Sequence, residues 1–247
     1  MAPLTLDLNG EIARITLDRP SAGNALDLTL VEALHDAVSA VEDSDHAAIV
    51  FQGAGKGFCG GLDLSELARE TDGSMLWRLV RIERLLQRIA RMRQITVAMA
   101  HGFAYGAGAD LVLACRWRIL SPGARLSFPG VRFGIALGTH RLALRAGAER
   151  AREILSRGEP VGAVEAVAAN LASAIVAQDE WESWIAGLPT RSAIAPVLDR
   201  QIADRLHPGD DDDRDLALLV RTASEPGLRS RIENYAAGIR PARDASD

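Results

Sequence analysis

Two glycine-rich turns carry the residue types best suited to chemistry. The first reads Gly53-Ala54-Gly55-Lys56-Gly57-Phe58-Cys59-Gly60-Gly61-Leu62-Asp63, and the second Gly102-Phe103-Ala104-Tyr105-Gly106-Ala107-Gly108-Ala109-Asp110. Each follows an apolar stretch that reads as a buried strand and precedes one that reads as a helix. Small residues at such points let a ligand approach the backbone closely. The free N–H groups of a helix start, aided by its dipole, favour a developing negative oxygen. Two donors from different turns that converge on one carbonyl oxygen would make an oxyanion site. Phosphate chemistry fits less well. A P-loop needs a lysine followed by Ser or Thr, and Lys56 is followed by Gly57. The second turn lacks the third glycine of a dinucleotide fingerprint. Cys59 has no partner base at recognisable spacing and reads as a small packing residue. His101 suits the turn, His140 suits helix packing or an interface, and Asp63 suits backbone hydrogen bonding within its own turn.

Something must hold the turns together, and the periodicities show what. Leu4, Leu6 and Leu8 alternate with polar neighbours, Asn9-Gly10 makes a turn, and Ile12 to Leu17 forms a return strand. Asp27 can cap a helix that buries Leu30, Val31, Leu34, Ala37, Val38 and Val41. Ala47 to Phe51, Thr96 to Ala100 and Trp117 to Leu120 read as strands, Leu62 to Ala68 as a short helix, and Gly106 to Ala114 as another. A long helix is predicted over Leu76 to Met92, with Leu79, Ile82, Leu85, Leu86, Ile89 and Met92 inward. Arg78, Arg81, Arg84, Arg88 and Arg91 then form a solvated basic face. Strand–helix alternation implies parallel pairing and an α/β fold class. From about Leu137 the pattern turns helical, with candidates at Ala148–Leu155, Ala163–Ala169, Glu180–Ala186, Ala193–Leu206 and Asp215–Ala223. Asp210 to Asp213 reads as a loop or helix start, and Ile239 to Arg243 as a tail.

Composition sets the outer limits. At 247 residues, with 48% hydrophobic and 25% charged, the chain fits one large globular domain with or without an appendage. A net charge of −5 argues against general nucleic-acid binding. No uncharged apolar run reaches the ~20 residues that span a bilayer. The opening residues read as a strand rather than a signal peptide, and Ala245-Ser246-Asp247 is not a peroxisomal tripeptide. Cys59 and Cys115 give no disulfide framework, and the expected compartment is the reducing cytoplasm. No cluster with metal-ligand spacing stands out, so no metal is expected.

Four ordered blocks, "RPSAGNALD", "GKGFCGGLDL", "HGFAYGAGADLVLACRWRI" and "FPGVRFGIALGTHRLALRAGAERAREIL", make the chain resemble the crotonase family of enoyl-CoA hydratases and isomerases. The resemblance runs from about Ile12 to Val176, and more loosely beyond. It implies a spiral of ββα units over residues 1–190 and a helical trimerisation region over 191–247, in a homotrimer or hexamer. It implies an acyl-CoA thioester as ligand, with no cofactor beyond the substrate's own coenzyme A moiety. The enolate oxygen would meet the N–H groups of Gly60 and Ala107. Ala22, Asn24, Gly61, Leu62, Asp63, Leu64, Gly106, Pro129 and Gly130 would line the coenzyme and acyl channel.

The usual family solution shares acid/base work between two glutamates. The first position is Asp110 here, three residues after Ala107 and on the same helical face. Aspartate is shorter by one methylene, roughly 1.5 Å of reach. Asp110 is the candidate acid/base, and it can alternatively charge-stabilise the helix start. The second glutamate would follow Pro129, where this chain has Gly130, and nearby Arg132 is no ordinary base. Glu66, Glu70 and Asp72 lie near the segment that borders the acyl pocket in the family and are candidate replacement acids. The expected function is enolate chemistry of the hydratase/isomerase type with a non-standard acid/base set. The rivals are another reaction on the same fold, a decarboxylation or hydrolysis, and an inactive acyl-CoA-binding or subunit protein.

Overall fold

The computed structural model describes residues 2–188 and 209–244. In chain order its strands are β1 (Leu4–Asp7), β2 (Ile12–Leu17), β3 (Ala48–Gly53), β4 (Ile95–Ala100), β5 (Phe103–Tyr105), β6 (Trp117–Leu120), β7 (Arg125–Ser127), β8 (Val161–Gly162) and β9 (Ala174–Ile175). Six form one sheet in the order β1-β2-β3-β4-β6-β9, and three form a second, β5-β7-β8. The Asn9-Gly10 turn, with Gly10 at φ +84°, returns β2 antiparallel to β1 and places Leu4 opposite Leu17. Every later pairing in the large sheet is parallel, so each needs a crossover.

Helices fill those crossovers, and another follows the final strand. They are α1 (Leu28–Glu42), α2 (Asp72–Ala90), α3 (Ala107–Ala114), α4 (Thr139–Ala146), α5 (Ala148–Arg157), α6 (Ala163–Ala168) and α7 (Trp181–Ala186). From β4 onward the chain lays one strand in each sheet before turning into a helix, as in β4-β5-α3 and β6-β7-α4. This is the expected spiral of ββα units. Period-two alternation splits the large sheet's side chains between two cores. Ile49, Phe51, Ala98 and Ala100 face α1 and α2, while Ala48, Val50, Val97 and Met99 face Trp181 and Ile185 of α7.

Helix ends follow local chemistry. The Asp27 carboxylate accepts the Leu30 N–H at 2.7 Å, capping α1 as predicted. Thr71 and Ser74 form a capping box that starts α2 four residues before the predicted Leu76. The helix expected over Leu62 to Ala68 is only a single 3-10 turn, Leu67–Arg69. The arginine face of α2 also differs from expectation, because most of it is paired with neighbouring elements. Arg81 grips Glu32 at 2.6–2.7 Å, Arg88 grips Glu42, Arg91 grips Asp212, and buried Arg78 donates to the Asp63 carbonyl at 3.0 Å.

Toward the C-terminus, Asp210 to Asp213 fall in the opening of a helix, Gly209–Ala223. A further helix, Leu228–Asp244, includes Ile239 to Arg243, so the tail expected there is helical backbone. The helix predicted over Ala193–Leu206, and the boundary at 190/191, lie outside the described residues. No helix among the described residues is long and apolar enough to cross a membrane.

Candidate active site

The two turns are joined backbone to backbone. Phe58 and Cys59 donate to the Phe103 carbonyl at 2.9 and 3.2 Å, and Tyr105 donates to Cys59 at 2.9 Å, a short parallel bridge between the turns. His101 Nε2 donates to Gly55 at 2.9 Å and closes the base. Glycines let the backbones meet. A Cβ on Gly61, which sits at φ +83°, would lie 2.3 Å from the Tyr105 carbonyl oxygen and 3.4 Å from the Ala107 nitrogen. One on Gly108 would lie 2.5 Å from the Cys59 oxygen. Cys59 itself is buried, its thiol donates to the Asn24 carbonyl at 3.1 Å, and burial pushes it up to about 12. It packs, as the sequence suggested.

N–H accounting changes one expected donor. Gly60 donates its N–H to the Gly23 carbonyl at 2.9 Å, so that proton is not available to a ligand in this arrangement. Two residues on, the Leu62 N–H has no hydrogen-bond acceptor among the described residues, while Leu62's neighbours Gly61 and Asp63 bridge to Leu26 through O and N–H. Ala107, first residue of α3, likewise has an N–H without an acceptor. Gly106 donates to Ser127 at 2.8 Å, and its φ of +51° turns the chain from β5 into the helix.

Two residues expected to line the channel hold the first turn. Asn24 is fully buried at φ +54°, and its amide donates to the Ala54, Gly57 and Phe58 carbonyls at 2.8–3.2 Å while its oxygen accepts from Arg19 N–H. Asp63 is buried and accepts from Ser65 N–H and the Arg19 guanidinium, both at 2.9 Å. These bonds hold its carboxyl below the ordinary range despite burial, which opposes them. Ala22 is exposed, while Leu62 and Leu64 are half-buried against an apolar cluster that includes Met75, Leu79, Ile135 and Leu219. Pro129 packs by Gly106, with its ring carbons 4.0 Å from where a Gly106 Cβ would sit, and Gly130 follows with its carbonyl bonded to Ile135 N–H at 2.9 Å. The replacement acids have other partners. Glu66 pairs with Arg69, Glu70 with Arg78 and Ser74, and Asp72 accepts the N–H groups of Gly227 and Arg229.

Asp110 is buried one turn into α3, and its Oδ1 has no hydrogen-bond partner among the described residues. Its carboxyl packs on Gly138, where a Cβ would come within 1.9 Å of Oδ1. Desolvation pushes its pKa up to about 8, opposed by the Arg141 charge and reinforced by Glu83. Arg141 in turn makes a buried two-point pair with Glu83 at 3.0 and 2.5 Å. Gly138, Arg141 and Glu83 were not singled out from the sequence, because only the packing of α2, α3 and α4 brings them to Asp110. His140 Nε2 stands 3.7 Å from Asp211 on the Gly209–Ala223 helix, the packing role expected of it. The arrangement can offer unpaired N–H groups to an oxygen and, one helical turn away, a carboxyl that is mostly protonated at neutral pH.

Residues 7–199 match the family model described as Enoyl-CoA hydratase/isomerase. A Clostridium acetobutylicum protein named short-chain-enoyl-CoA hydratase is 30% identical over 182 residues, covering 71% of this chain and 69% of that protein. A Bacillus subtilis (strain 168) protein named probable enoyl-CoA hydratase is 33% identical over 189 residues, covering 74% and 72%. A crystal structure from Bordetella parapertussis, assigned to enoyl-CoA hydratase/isomerase, superposes with a TM-score of 0.90 at 39% identity over 96% of this chain and 99% of that one. An enoyl-CoA hydratase structure from Bacillus halodurans, 22% identical, shares the fold with a TM-score of 0.80 over 94% and 99%.

Proposed function

The chain belongs to the enoyl-CoA hydratase/isomerase family of the crotonase superfamily, and from that premise we propose that it binds an acyl-coenzyme A thioester and stabilises its enolate. The observation that carries this reading is the Ala107 N–H, without an acceptor, one helical turn before a buried carboxyl. In this proposal the thioester oxygen rests on the N–H groups of Leu62 and Ala107, Leu62 taking the place first expected of Gly60. Charge that develops on that oxygen as the α-carbon loses or awaits a proton is stabilised by both donors and by the start of α3. Asp110 moves the proton. As a carboxylate it takes one from carbon, and as the neutral acid it returns one to the enolate. Gly130 supplies no second carboxylate to activate water, so a shift of the double bond through one shuttled proton suits the site better than hydration. Coenzyme A enters only as part of the substrate. The proposal includes a homotrimer or hexamer, which sedimentation would check.

A second reading rests on the raised Asp110 pKa. Decarboxylation of a carboxyacyl thioester forms the enolate by loss of carbon dioxide, and a neutral Asp110 then supplies the one proton the α-carbon needs. One experiment separates the readings: offer 2-enoyl-, 3-enoyl- and carboxyacyl-CoA substrates and separate the products by chromatography, since double-bond isomers share one mass. Comparison with standards and mass spectrometry then identify them. A shifted double bond, abolished in Asp110→Asn with thioester binding retained, supports the first; loss of the carboxyl group as carbon dioxide supports the second. No thioester binding at any chain length, measured by calorimetry, sinks both.

A further inference from the structure

Behind Asp110 lies a buried polar junction to which three helices contribute. Asp110 comes from α3, Glu83 from α2 and Arg141 from α4. Arg141 is three residues after Gly138, so the first turn of α4 presents a bare backbone and a guanidinium on the same side. The backbone seats the Asp110 carboxyl, and the guanidinium charge acts on it. Among the described residues, Asp110 Oδ1 and Arg141 Nε in this junction are buried without hydrogen-bond partners. Nη1 and Nη2 of the guanidinium each donate to one Glu83 oxygen, and Glu83 is further fixed by Gln87 Nε2 at 3.0 Å.

We infer that Arg141, clamped by Glu83, is a positioning residue for Asp110: it holds a full positive charge beside the proton-transfer carboxyl and sets how readily that carboxyl gives up its proton. This deepens the reading of Asp110 proposed above and rests on it for its catalytic meaning. The groups that bear on the carboxyl are Glu83 from α2, Arg141 from α4 and the buried environment itself. Asp215, from the Gly209–Ala223 helix, stands one step back and acts on Arg141, with His140 and Asp212 beside it. Removing either member of a buried pair leaves the other charge uncompensated, so a single Arg141 deletion tests folding as much as ionisation. Neutralising both members together avoids that.

The test is a titration of the Asp110 carboxyl by NMR on protein carrying carbon-13-labelled aspartate, with Asp110→Asn identifying the resonance. Glu83→Gln alone removes a nearby anion and moves the midpoint down. Because it leaves Arg141 uncompensated, its amide spectrum is compared with that of the unaltered protein; where the fold is lost, the double variant is read against Arg141→Lys instead. Arg141→Lys keeps the charge and leaves the midpoint close to that of the unaltered protein. The double variant Glu83→Gln/Arg141→Met, relative to Glu83→Gln, moves it up by about one pH unit, a tenfold change in proton affinity. The pH profile of kcat/KM shifts in the same directions. A midpoint that does not respond to Glu83→Gln, or that moves equally in Arg141→Lys and the double variant, overturns the inference. The titration does not require turnover, so failure of the thioester reading would show separately, as absent substrate binding.

Discussion

At the scale of single residues, Asp110 combines a reactive position with a cost to the fold. Helical spacing sets it above Ala107, and burial raises its pKa from 3.8 to about 8. A folded-state carboxyl raised in this way binds a proton that the unfolded chain has already released. Its contribution to stability is therefore full below about pH 4 and is lost progressively as pH rises toward 8. The slope is about 1.4 kcal/mol per pH unit for a fully shifted group. Asp110→Asn should flatten this part of the profile, so that the difference in Tm between variant and unaltered protein grows in the variant's favour from pH 5 to pH 8. Parallel curves would show that the carboxyl ionises normally. The candidate acid was legible through the family resemblance, which puts it three residues after Ala107. The open N–H of Leu62 was not, because the acceptor that occupies Gly60 is Gly23, which lies in a separate loop.

At the scale of elements, the site depends on two turns brought together without side chains between them. Gly61 shows how close that approach is, since any Cβ there would overlap the Tyr105 carbonyl and its φ of +83° disfavours an L-residue. Gly61→Ala should cost on the order of 2 kcal/mol in denaturant unfolding and separate the Leu62 and Ala107 N–H groups. Thioester affinity should fall at least tenfold in calorimetry; unchanged affinity would place the ligand elsewhere. The strands and helices around these turns were readable because alternation and helical spacing dominate wherever a face is buried, as in Ile49 and Phe51 or in Leu79 through Ile89. The reading failed at Leu62 to Ala68, where apolar spacing looked helical. There the Leu26–Leu62 bridge and the Asp63 bonds fix an extended turn instead.

Across the whole molecule, the C-terminal helices pack back on the segment that borders the site. Leu219, Ala223, Leu228 and Ile232 complete the apolar cluster that contains Met75, Leu79 and Ile135. Asp72 fastens this contact by accepting N–H groups from Gly227 and Arg229 at 3.1 and 2.9 Å, which lowers its pKa. The stabilisation this gives is present above the ordinary carboxylate range and is lost as pH falls through the lowered value. Asp72→Ala should loosen the Leu228–Asp244 helix, seen as faster cleavage after Arg229 and Arg231 by trypsin with the core intact. Equal cleavage would mean the apolar contacts alone hold the helix. The sequence placed helices here but not their docking, which depends on Asp72 some 155 residues away.

The central claim is that this fold holds a thioester enolate and that Asp110 moves its proton. Hydrogen exchange at the α-carbon of a saturated acyl-CoA in deuterated water tests it most directly, because it requires enolate formation and nothing further. Mass gain of one deuterium or more, abolished in Asp110→Asn while binding persists and faster as pH rises toward 8, is the result expected. Tight binding with no exchange across chain lengths and pH, or exchange that survives Asp110→Asn, would contradict it.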